Sequence, residues 1–195
     1  MEWRVRRIRR RLKIPPDEPL HAWVMVDYQG LRNPAPELYP ASPLPPCLAL
    51  TGAALWLSNA GGSRRIALED IVMASVAPTS PGDLRVDFMK DEPLLVHPLD
   101  DGTFLQKLIS EIQTLDRRLQ MQAPRAHGFP ELPVEMVAAA EAERGWAAQL
   151  LAENGADPDY QRAALRHEAE AVEFIHEAQV AALRTLRTEL LSGDS

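Results

Sequence analysis

Only one cysteine, Cys47, stands in the 195 residues, which excludes an internal disulfide framework and any multi-cysteine metal site. No apolar run approaches the roughly 18 residues that a membrane-crossing helix requires. The opening Met1-Glu-Trp-Arg-Val-Arg-Arg-Ile is positively charged but has no apolar stretch behind it. A secretory leader is therefore not expected, and the expected location is the cytoplasm. Signatures of nucleotide and acyl-transfer chemistry are also missing. Gly61-Gly62-Ser63-Arg64-Arg65 lacks the Gly-Lys-Ser/Thr ending of a phosphate loop and the helix that follows one, so Arg64 and Arg65 read as decoration of a hairpin tip. No serine sits in a Gly-x-Ser-x-Gly elbow, and Cys47, between Pro46 and Leu48, reads as a small buried hydrophobe.

What is present is unevenly spread. The formal net charge is -7. Arg4, Arg6, Arg7, Arg9, Arg10, Arg11 and Lys13 supply seven of the 21 basic residues, against the lone acid Glu2. Fourteen basic and 27 acidic residues remain, so the body carries -13. Such a body repels nucleic acid and anionic membrane, while the basic arm attracts both.

The pattern divides into a basic arm (residues 1–13), a β domain with one helix (14–123) and a helical hairpin (131–192). Residues 20–28 read as a strand, followed by a proline-studded segment from Gly30 to Pro46 that suits a loop or edge excursion. Leu48 to Ser58 carries the clearest β signal, and Gly61-Gly62 suits a tight turn after it. Leu84, Val86 and Phe88 alternate with Arg85 and Asp87, which predicts a half-exposed strand. Trp23 and Trp56 are expected to anchor the β core. Asp100, Asp101 or Thr103 is placed to cap a helix with an apolar stripe of Phe104, Leu105, Leu108, Ile112, Leu115 and Leu119. A further helix is expected from Pro133 to about Glu153, using Val134, Val137, Ala148 and Leu151. Asn154-Gly155 and Asp157-Pro158 mark its end and the next start. The last helix has a seam of Leu165, Ala169, Val172, Leu183, Leu186 and Leu190, interrupted by His176 and Gln179.

Residues 18–119 resemble bacterial PH/GRAM-like domains. The likeness lies in Leu50-Thr51-Gly-Ala-Ala-Leu55-Trp56-Leu57-Ser58, Ile66-Ala-Leu68-Glu-Asp70-Ile71, Leu84-Arg-Val-Asp-Phe88 and the helix from Gly102 to Leu119. It covers about half the chain. The resemblance implies an α+β fold, a PH-like antiparallel β barrel or sandwich closed by one helix, here followed by the helical hairpin. It implies binding or scaffolding rather than catalysis. Phosphoinositide-binding members have a strongly basic first loop, whereas Gln29 to Pro46 has Arg32 as its sole base and also contains Glu37. Phosphoinositide is therefore not the expected ligand.

Candidate chemistry is sparse. Glu173-x-x-His176 matches one element of a di-iron carboxylate bundle, with Glu170 and Glu177 one turn away on either side. A full site needs a second such element, and His21, His97 and His127 offer none. His167, Glu168, Glu170 and Glu173 therefore read as a solvated face with charge pairs, and no metal or cofactor is expected. The interaction candidates are Arg4, Arg6, Arg7, Arg9, Arg10 and Arg11 on the arm, and Trp146, His176, Leu183 and Leu186 on the hairpin. The functional expectation is a non-enzymatic protein-interaction or scaffolding module, with a homodimer formed through the hairpin. One alternative is recruitment to anionic lipid or nucleic acid through residues 1–13. Another is a hydrolase whose site, drawn from His21, His97 and Cys47, is assembled by folding.

Overall fold

The computed structural model describes residues 2–27, 46–59, 62–78, 80, 82–100, 102–122 and 130–192. The chain clusters into two compact units, Met1–Ala77 with Gly82–Gln122, and Pro78–Pro81 with Ala123–Ser195. The first is α+β. Its elements are α1 (Glu2–Leu12), β1 (Leu20–Asp27), β2 (Cys47–Thr51), β3 (Ala54–Asn59), β4 (Gly62–Ala67), β5 (Ile71–Val76), β6 (Leu84–Phe88), β7 (Leu94–Pro98) and α2 (Thr103–Gln122). The second contains α3 (Val134–Asn154) and α4 (Pro158–Ser192).

The seven strands form one antiparallel sheet in the order β4-β3-β2-β1-β7-β6-β5. It is open: β4 and β5 are its two edges, and the expected barrel closure is not made. Strand β1 joins the two halves. Leu20 to Met25 pair with β2, while Val26 and Asp27 pair with Pro98 and His97 of β7. The β-rich stretch 48–58 is not continuous. It turns at Gly52-Ala53, where Thr51 Oγ1 accepts the Ala54 N–H at 3.0 Å and donates to Glu18. The buried threonine thereby satisfies the Ala54 N–H at a tight reversal whose tip, Gly52-Ala53, is exposed.

Because side chains alternate along a strand, β1 to β3 present two apolar faces. Val24, Val26, Leu48, Leu50 and Leu55 enter the main core with Val86, Phe88 and Val96. The α2 stripe joins them: Phe104, Leu108, Ile112 and Leu115 are buried there, with Leu105 and Leu119 half-buried. Burying such a side chain fully is worth about 1.5–3 kcal/mol. Asp100 caps the helix by accepting the Gly102 and Phe104 N–H groups at 3.2 and 2.8 Å. His21 of β1 holds Glu111 of α2 at 2.8 Å.

The opposite face carries the register line Trp23, Ala49, Trp56, Arg65. Here α1 lies down. Ile8, Leu12 and Ile14 are buried against Cys47, Ala49, Ala54 and Trp56, with Trp23 half-buried beside them. The two strand tryptophans thus anchor a second cluster rather than the main core. The chain leaves α1 through a Schellman turn: Ile14 N–H donates to Arg9 C=O at 3.0 Å, and Lys13 N–H to Arg10 C=O at 3.4 Å. Lys13 adopts φ 57°, a conformation that suits glycine.

Strand β6 is not half-exposed. Arg85 and Asp87 are 5% and 1% exposed, and Arg85 Nε donates to Asp87 Oδ1 at 2.9 Å. Alternation reports which face a side chain takes, and mutual neutralisation lets a charged pair occupy a covered face. Arg64 and Arg65 lie within β4, where Arg64 pairs with Asp91 and Arg65 lies over Trp56.

In the second unit the helices pack through alanine. Ala140 and Ala147 of α3 are buried, as are Ala164, Ala171 and Ala178 of α4, each set spaced by seven. The large apolar residues expected in the seams lie largely outside: Val134, Leu151, Leu165 and Val172 are exposed, Ala148 is too, and only Leu190 is buried. Small side chains let helix backbones approach closely, and that approach leaves the neighbouring leucines facing outward. Asp157 caps α4 by accepting the Asp159 N–H at 2.8 Å.

Two stability measurements test this description. Lys13→Gly should raise unfolding stability by about 1 kcal/mol in urea, because it relieves a left-handed conformation that costs other residues about that much. Asp87→Ala should lower it by about 3–5 kcal/mol, since removing one partner of a buried ion pair is strongly destabilising. An unchanged urea midpoint for Asp87→Ala would contradict the buried pair.

Candidate functional site

Helix α1 covers the second face of the sheet incompletely. A cleft of about 230 Å³ opens beside it, lined by Trp3, Arg4, Arg7, Ile8 and Arg11 of α1 and by Trp23, Met25 and Cys47 of the sheet. Its origin is legible in the spacing. Ile8 and Leu12 are four apart and point to the sheet, while Arg4, Arg7 and Arg11 lie on the turn-to-turn row beside them. The floor comes from β1 and β2, where Trp23 and Met25 stand two residues apart on one face and Met25 pairs with Cys47.

The walls are apolar and the rim cationic. Arg4 and Arg7 are exposed, Arg11 is half-buried, and Arg4 lies over the Trp3 ring at 5.6 Å. Arg6 and Arg10 face solvent on the same helix. Arg9 serves the fold: its Nη2 donates to Pro15 C=O at 3.1 Å and to Glu18 C=O, fastening the segment after α1. Glu18 in turn accepts from Thr51. The helix that bears the arginines is thus anchored to the sheet by burial of Ile8 and Leu12.

Cys47 lies at the inner end. Its N–H donates to Ser58 Oγ at 2.9 Å, and its sulfur lies 3.2 Å from the same oxygen. Burial pushes the thiol above its ordinary pKa of 9.0, opposed by the Ser58 hydrogen bond and the Arg11 charge. The thiol is therefore neutral near pH 7, which disfavours attack by sulfur.

The other candidates fall elsewhere. His21 pairs with Glu111 and His97 with Asp83, at 2.8 and 2.9 Å. Neither hydrogen-bonds Cys47, so the His21, His97, Cys47 set is not assembled into a hydrogen-bonded triad. His176 is buried on α4, Leu183 and Leu186 are half-buried, and Trp146 is 55% exposed on α3. His127 and most of the proline-rich segment, with Arg32 and Glu37, lie outside the described residues. Sequence reading had the arginines but not the cleft. Trp23 and Met25 were assigned to a strand, and their side chains face α1 only because the arm is a helix lying on the sheet.

Cys47 yields a signed prediction. The folded thiol has the higher pKa, so the unfolded chain loses its proton first as pH rises. The stabilisation is complete below about pH 9 and is lost as pH climbs through the raised folded value. Cys47→Ala should therefore show a shallower alkaline loss of stability than wild type, measured by urea midpoints. In the folded wild type, iodoacetamide should alkylate Cys47 far more slowly at pH 7 than in urea.

No family model matches the chain, and no curated protein matches it. Among solved structures it is similar to one described as the C-terminal domain of an unknown protein from Leishmania infantum. The two share 12% identity and a TM-score of 0.44, over 56% of this chain and 97% of that one. The functional reading therefore rests on the cleft itself.

Proposed function

We propose that the chain is a non-enzymatic interaction module of PH/GRAM-like build, which holds an acidic segment of a protein partner in the cleft beside α1. One observation carries this reading: an apolar cavity floored by Trp23, Met25 and Cys47 and rimmed by Arg4, Arg7 and Arg11. An apolar side chain on the bound segment fills the floor while flanking carboxylates meet the guanidinium groups, which suit planar two-point pairing. The strand order with one helix after β7, and the Thr51 turn within the resembling stretch, support the PH/GRAM-like build. The α1 charge is opposite to that of the body, so an acidic partner would be steered to the arm.

A second reading, docking on an anionic membrane, is favoured by Trp3, which is 61% exposed among Arg4, Arg6, Arg7 and Arg10. It ranks lower because Ile8 and Leu12, the residues an interfacial helix would insert, are already buried against the sheet. No helix among the described residues is long and apolar enough to cross a membrane. On the hairpin, exposed Trp146, Leu165 and Val172 suit contact with a second copy, which light scattering at high concentration would detect.

Fluorescence anisotropy tests the main reading with short labelled acidic peptides, each carrying one leucine or phenylalanine. Saturable binding that weakens with salt is expected. The Arg4→Glu/Arg7→Glu double variant should bind at least about tenfold more weakly, as breaking desolvated charge pairs costs about 2–5 kcal/mol. Equal binding by wild type and variant, or binding by neither, would end it. Co-sedimentation with phosphatidylserine vesicles, in the absence of peptide binding, would shift the assignment to the membrane surface.

A further inference from the structure

In the second unit, away from the arginine cleft, three metal-binding side chains converge. Glu143 of α3, His167 of α4 and Glu170 of α4 each offer a ligand atom, and these atoms all lie within 4.8 Å of one another. Two helices supply them, and the alanine seam makes this possible. Ala140 and Ala147 flank Glu143 along α3, and Ala164 and Ala171 flank His167 and Glu170 along α4. With small side chains at these positions, the longer side chains at the margin reach across to one another. His167 and Glu170 are three apart, so both lie on the same side of α4. His167 Nδ1 already stands 2.5 Å from Glu143 Oε2.

We propose that Glu143, His167 and Glu170 bind a divalent transition-metal ion of the zinc class, which links α3 to α4. One imidazole and two carboxylates form a mixed N/O donor set that suits Zn²⁺, Co²⁺ or Ni²⁺ better than Mg²⁺ or Ca²⁺, which prefer all-oxygen shells. Bonds of about 2.0–2.2 Å set neighbouring donors roughly 3–3.5 Å apart, so metal entry opens the His167–Glu143 pair slightly, displacing its hydrogen bond, and draws Glu170 in. Glu170 is exposed and can supply that movement, whereas Glu143 and His167 are partly buried and already in contact. Three protein ligands leave coordination positions to water, so the site is open on the side of Glu170. This set differs from the Glu173-x-x-His176 element singled out in the sequence. It shares with it only the helix and the carboxylate at Glu170, and its decisive member, Glu143, comes from the other helix.

Isothermal titration of the full chain with ZnCl₂, after treatment with chelator, tests the assignment. One ion should bind per chain, and thermal unfolding of the second unit should shift upward with added metal. His167→Ala should weaken binding by about tenfold or more, a loss that even supporting residues around metal ligands commonly produce. Glu170→Gln should weaken it as well, with circular dichroism confirming that both variants remain helical. His97→Ala removes another histidine–carboxylate pair and should leave the affinity unchanged. Co²⁺ should give visible absorption that His167→Ala abolishes. Absence of saturable Zn²⁺ binding, or equal affinity in wild type and His167→Ala, would overturn the site. So would a loss as large in His97→Ala, because binding would then be unspecific.

Discussion

The first unit depends on covering both faces of the sheet formed by β1, β2 and β3. Antiparallel sheets commonly keep one face on a core and leave the other to water. Here the second face carries Trp23, Met25, Cys47, Ala49 and Trp56, which water would solvate poorly. Two helices answer this from opposite ends of the unit's sequence. The last, α2, takes the face continuous with β5, β6 and β7, and the first, α1, takes the other. The order of events in the sequence then follows. A helix with one apolar stripe precedes β1, the chain turns sharply at Lys13, and it enters β1 in the middle of the sheet rather than at its edge.

That constraint also explains why the positive charge is concentrated as it is. The stripe toward the sheet needs only Ile8, Leu12 and a few neighbours, so the remaining surface of α1 is free to be almost entirely arginine. Like charges spaced along a helix repel, and an isolated helix of this composition would be marginal. Packing on Trp56 and Ala49 supplies what the local sequence does not. Arginine adds to this in its own right, since Arg9 holds the Pro15 and Glu18 carbonyl groups and Arg65 lies over Trp56 from the far strand. On α1, charge display and fold stability are thus properties of one helix, carried by different arginines.

Much of the first unit was legible because its signals are local. The α2 stripe, its Asp100 cap and the shared core face of Leu84, Val86 and Phe88 follow from local pattern, whereas the half-exposure expected of that strand does not hold. What was not legible depends on partners distant in sequence. Nothing near Arg85 or Asp87 indicates that both faces of β6 are covered, and nothing in residues 1–13 names the sheet face that α1 occupies. In the hairpin the two helices stand where they were expected, but the seam residues differ, for another reason. Reading a helix for its largest apolar residues selects Leu165 and Val172, whereas the seam runs one residue earlier through Ala164 and Ala171. Alanine contributes little to a hydrophobicity pattern, yet it sets how near two helices can come.

That nearness has a chemical consequence distinct from stability. A glutamate at the margin of a helix–helix seam can pair with the opposite helix. Between helices spaced by alanines, the same side chain is long enough to cross, and Glu143 does so to reach His167. A strict seven-residue repeat of small residues therefore does two things at once. It removes the large apolar side chains from the interface, leaving Trp146 and Leu165 on the outside, and it brings polar groups of two helices within bonding range of each other. Both the outward apolar surface and the polar cluster at the seam margin of the second unit trace to the size of one side chain.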